Sequence, residues 1–73
     1  GDSNKLYRER EKLLRAADAK RNELRTYENN MGFLSSKSKT GDSMLREFQR
    51  KVERIKADLE MIDQKVKLID SKL

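Results

Sequence analysis

Between Leu45 and Leu73 an apolar residue falls at Leu45, Phe48, Val52, Ile55, Leu59, Ile62, Val66, Ile69 and Leu73, in alternating steps of three and four. This is the heptad spacing of a helix that buries one narrow seam and needs a second helix to cover it. A candidate cover lies earlier in the chain. Leu6, Leu13, Ala17, Leu24, Tyr27 and Met31 follow a similar spacing, with Arg10 and Lys20 at seam positions and Leu14, Ala16 and Ala19 beside them. This first seam is the weaker one. Small side chains let a neighbour approach but bury little area, and the stems of Arg10 and Lys20 can lie across apolar surface with their charged heads in water.

Polar punctuation sets the expected boundaries. Ser3 can cap a first helix over 3–31, with Asp2 favouring its positive end. Gly32 is suited to the left-handed residue that ends a helix, and Phe33 and Leu34 then fold back on Tyr27 or Met31 as a plug. Residues 32–42 read as a loop, polar and without period from Ser35 onward, and Asp42 or Ser43 caps a second helix over 43–73, with Glu47 near its start.

The two helices would be about 40 and 46 Å long at the usual rise. Nearly equal lengths joined by one loop predict an all-α fold, an antiparallel two-helix hairpin forming a single domain. Folding at the loop sets Tyr27 near Leu45 and Phe48, Leu24 near Phe48, Ala17 near Ile55, Leu13 near Leu59 and Ile62, and Leu6 near Val66 and Ile69. The second seam is bulkier than the first can cover. Its surplus at Ile55, Leu59, Ile62, Val66 and Ile69 is expected to be buried by self-association, as a homodimer forming a four-helix assembly, or against other parts of a parent protein.

Composition narrows the chemistry. The 73 residues include no Pro and three Gly, and 42% are charged against 34% hydrophobic, which favours long helices and leaves a core small enough to invite a partner. With no His and no Cys there is no ordinary proton shuttle at neutral pH, no thiolate nucleophile and no nitrogen or sulfur ligand for zinc or iron. No enzymatic activity, cofactor, metal or small-molecule substrate is expected. Ser36 beside Lys37 or Lys39 lacks anything to bury the lysine, and the Lys-Thr-Gly of the loop lacks the order of a phosphate-binding motif and a strand before it. Asp58, Glu60 and Asp63 read as a solvated face. No apolar run approaches bilayer length and no signal-peptide pattern opens the chain, so a cytoplasmic protein without membrane contact is expected. The start at Gly1, without Met, suggests a piece of a larger protein with Gly1 a cloning remnant.

The net charge of +5 is unevenly placed. Between Arg15 and Lys56 eleven Lys and Arg stand against six Asp and Glu, whereas the two ends hold seven of each and cancel. Arg21, Arg25, Lys37, Lys39, Arg46, Arg50 and Arg54 are the candidate phosphate contacts of a basic-tipped arm, which gives an alternative reading as a nucleic-acid or ribosome binder.

The run Leu24-Arg-Thr-Tyr27-Glu28-Asn29-Asn30-Met31-Gly32-Phe33-Leu34, the Ser/Lys-rich loop, then Leu45, Glu47, Lys51-Val52-Glu53, Lys56-Ala57-Asp58-Leu59-Glu60 and Lys67-Leu68-Ile69-Asp70 carry a likeness over most of the chain. They resemble the C-terminal coiled-coil tail of bacterial proteins in the domain of unknown function 349 family. The resemblance implies a helical segment of a larger cytoplasmic protein, with no catalytic residues to carry over. Hairpin arms of similar plan end some tRNA synthetases and translation-associated ATPases, where they look like nucleic-acid contacts.

Overall fold

The computed structural model describes the backbone of residues 1–34 and 39–73 and the side chains of residues 1–34 and 42–73. Two helices, α1 (Asp2–Leu34) and α2 (Lys39–Asp70), pack against each other as an antiparallel hairpin 58 Å long and 15 by 11 Å across. The all-α hairpin implied by two heptad seams is the observed fold. Its core is thin. Val52, Ile55, Ile62 and Ile69 of α2 are buried, and the one buried residue of α1 is Ala17, whose single methyl lets the bulkier α2 side chains close on it. Leu6, Leu13, Leu24, Tyr27 and Met31 of α1 are half-buried, as are Leu45, Phe48, Leu59 and Val66 of α2.

Near the turn the expected pairing of Tyr27 with Phe48 is found. Their rings meet edge to face with centroids 5.2 Å apart, and the Lys51 ammonium stands 5.7 Å from the Tyr27 centroid. Further along, the two cations in the α1 seam do more than cover apolar surface. Arg10 Nε donates to Asp70 Oδ1 at 2.7 Å and Lys20 Nζ lies 3.3 Å from Asp58 Oδ2, so heads expected in water instead reach carboxylates beside the α2 seam. Where α1 lacks an apolar seam residue, α2 supplies an acid. These pairs pin the register between the helices.

The helix ends differ from the expected bounds. α1 begins at Asp2, with the Lys5 amide donating to the Gly1 carbonyl at 3.4 Å, so Ser3 lies inside the first turn and does not cap it. At the other end α1 runs through Gly32 to Leu34, and no described glycine has a positive φ. Leu34 is the next seam step after Leu24, Tyr27 and Met31, and covering it offsets the roughly 1 kcal/mol that Gly costs inside a helix. Phe33 is therefore carried on a helical turn and is 84% exposed, not folded back as a plug. The run from Leu24 to Leu34 is thus helix throughout.

α2 starts at Lys39 and not at 43, which places Asp42 in its first turn, near the positive helix end, and Ser43 within the helix. Without Pro to stop it, a nucleated helix gains one backbone hydrogen bond for each residue added. It closes at Asp70, where the Ser71 and Lys72 amides donate to the carbonyls of Lys67 and Ile69 at 3.0 and 2.9 Å. What remains of the expected loop, Ser35 to Ser38 with Ser36 and Lys37, lies outside the described residues, as does the side chain of Lys39.

Candidate interaction surface

Three of the five residues expected to form a self-association seam are spent inside the hairpin. Ile55, Ile62 and Ile69 are buried against α1, Ile55 at 3% exposure, while Leu59 and Val66 are half-buried. What is left uncovered at those positions is the half-buried Leu59 and Val66 and the edges of Ile55 and Ile69 that line hollows between the helices. One α1 helix with small and long-stemmed residues covers the Ile ridge, because Ala17 permits close approach and the stems of Arg10 and Lys20 pack before their heads turn to Asp70 and Asp58.

Uncovered apolar surface lies one row to the side. Leu6, Leu13, Leu68 and Ile69 line an open groove of about 410 Å³ near the end away from the turn, rimmed by Glu9, Lys12, Lys65 and Lys72. A second, shallower hollow of about 250 Å³ lies toward the turn, between Lys20, Glu23 and Tyr27 of α1 and Lys51, Arg54 and Asp58 of α2. Heptad spacing puts both hollows on one face, since Glu9 and Glu23 are two heptads apart, as are Lys51 and Lys65, and Arg54 and Leu68. The same spacing carries the other exposed apolar residues to that face. Met61 lies midway between Arg54 and Leu68, Met44 seven residues before Lys51, and Phe33 three heptads beyond Lys12. Leu68 and Met61 are 59% and 50% exposed. Of the large exposed hydrophobic residues among those described, only Tyr7, on the other edge of α1, and Leu73, beyond α2, lie elsewhere.

Three of the five described arginines of the basic set are paired. Arg21 contacts Asp18 at 3.1 Å, Arg50 contacts Glu47 at 2.7 Å, and Arg54 contacts Asp58 at 3.3 Å. Asp58 is thereby shared between Arg54 of its own helix and Lys20 of the other. Among the described residues, Arg25 and Arg46 form no ion pair and stay in water. The Arg46, Arg50 and Arg54 steps carry the ladder around α2, so that Arg54 borders the groove face and Arg46 does not. Lys37 lies outside the described residues, and the Lys39 side chain likewise. The sequence signal was local but not sufficient: Arg21, Arg50 and Arg54 each have a carboxylate three or four residues away, and so do Arg25, with Glu28, and Arg46, with Asp42, which form no ion pair among the described residues.

Two exposed pairs bias titration. The Arg50 guanidinium, by hydrogen bond and then by charge, holds the Glu47 carboxyl below its ordinary value, and Asp63 in the same way raises Lys67. Among the described residues no group of three His, Cys, Asp or Glu side chains gathers as around a metal ion, and no helix is long and apolar enough to cross a membrane. Comparison with protein-family models, curated proteins and solved structures gave no significant match.

Proposed function

We propose that this hairpin is a structural and interaction module that works by laying one face against other helices, in self-association or in protein–protein contact. The observation that carries the reading is the gathering of Phe33, Met44, Met61 and Leu68 on the face that holds the Leu6, Leu13 and Ile69 groove. Exposed apolar side chains gathered on one face of so small a chain cost solubility and mark a surface suited to contact. A long narrow groove between two helices is the shape that receives the apolar side of another helix. The alternative of a basic arm on nucleic acid rests on Arg25 and Arg46, since the other described arginines of the set already hold carboxylates.

The two readings separate with one pair of variants. Met61→Glu with Leu68→Glu is expected to abolish association with protein, and Arg25→Glu with Arg46→Glu to leave it intact, both retaining helicity by circular dichroism. Sedimentation velocity reads the association, and fluorescence anisotropy with a labelled RNA at low salt reads the alternative. Salt-sensitive RNA binding lost with the arginines, together with association indifferent to Met61 and Leu68, overturns the proposal.

A further inference from the structure

Resting on that reading of the groove face, we infer that its occupant is a second copy of this chain, with both turns at the same end, so that α1 of each copy lies over α2 of the other. Size permits it. A face of 58 by 15 Å presents roughly 870 Å², against the 800 Å² or so that each partner contributes to a stable interface.

Charge selects the arrangement. Along the groove the α1 edge carries Glu9, Lys12 and Glu23, a net negative charge once Lys20 is given to Asp58, and the α2 edge carries Lys51, Arg54, Lys65 and Lys72. The acids on the α2 side of this face are already held, Asp58 by Lys20 and Arg54, and Glu47, one heptad before Arg54, by Arg50. Two copies can face each other about a two-fold axis in only two ways. With turns at opposite ends, α1 lies on α1 and α2 on α2, which sets glutamates toward glutamates and lysines toward lysines. With turns at the same end, α1 lies on α2 twice, and each acidic edge meets a basic one.

Height along the hairpin agrees with this choice. The Arg10–Asp70, Lys20–Asp58 and Tyr27–Phe48 contacts define which residues of α1 and α2 stand level. A same-end dimer keeps those levels, so Glu9 and Lys12 both fall between the partner's levels for Lys65 and Lys72, one opposite and one like in charge, and Glu23 falls beside those for Lys51 and Arg54. Ala16 comes under Met61 and Phe33 comes beside Met44, a small residue receiving a long one and two exposed apolar side chains covering each other.

The test is a charge swap. The unaltered chain is expected to dimerise in sedimentation equilibrium, and Glu9→Lys/Glu23→Lys and Lys51→Glu/Lys65→Glu each to raise the dissociation constant about tenfold or more. An equimolar mixture of the two variants, whose edges are again opposite, is expected to recover a heterodimer. A spin label at Ser71→Cys reads the orientation on the otherwise unaltered chain: a separation well under half of the 58 Å length for turns at the same end, and close to that length for turns at opposite ends. A mixture no tighter than its components, or the long separation, overturns the α1-on-α2 arrangement. A chain that stays monomeric at high concentration overturns the second copy as occupant. In that case a photo-crosslinker at Met61 that captures the helix of another protein leaves the interaction module standing, and one that captures none removes both.

Discussion

Ile55 and Phe33 are the extremes of this surface, 3% and 84% exposed, and their truncation separates what holds the hairpin from what it presents. Ile55→Ala removes three carbons from a core with few buried residues, and is expected to cost about 2–4 kcal/mol, read as an early loss of helicity in thermal circular dichroism. Phe33→Ala at equal dilution is expected to change hairpin stability by no more than about 0.5 kcal/mol. The seam residues were legible from spacing alone, since a three-four step needs no knowledge of the partner. The roles of Arg10 and Lys20 were not. They depend on Asp70 and Asp58 standing level with them across the hairpin, which is a matter of register and not of spacing within either helix.

At the scale of the element, Gly32 decides between two accounts of α1. In a left-handed cap its replacement is costly, whereas within a helix it frees the chain of an entropic burden. A Cβ built there meets nothing within 4 Å and the backbone is helical, so Gly32→Ala is expected to stabilise by about 0.5–1 kcal/mol, measured as a raised melting temperature. A lowered melting temperature would restore the cap. Helix ends were the least legible part of the fold because punctuation competes with burial: Gly32 signals a stop, and Leu34, two residues on, continues the seam. Phe33 followed the same error, a plug when read after a stop and an exposed side chain when read on a continuing helix.

For the whole molecule, the absence of His removes the side chain whose charge ordinarily changes near neutral pH. Glu47, lowered by Arg50, contributes stability that is present above its ordinary value of 4.5 and is lost as pH falls through the lower folded value. Lys67, raised by Asp63, contributes stability that is present below 10.5 and is lost as pH rises through its higher folded value. Both groups are exposed, so the changes are small, and the melting temperature is expected to stay level from about pH 5 to 9. A transition near pH 6.5 in a melting series would contradict this. The candidate surface was legible only as a need for company. The single-seam reading placed the surplus on Ile55, Leu59, Ile62, Val66 and Ile69, but the more exposed Met61 and Leu68 sit outside the heptad seam, where only the packed pair of helices gives them a common face.

The Arg10–Asp70 pair also decides how the hairpin carries load. It sits one turn in from Leu6 at the end where α1 begins and α2 closes, so tension drawn through these two neighbouring ends meets the Leu6 layer and this pair first. Beyond it the seam opens one layer at a time toward the turn, as a zip opens, and no two layers share the force. The hairpin is thus weak to separation of its ends and stiff to a push along its length, the mechanical character of a strut.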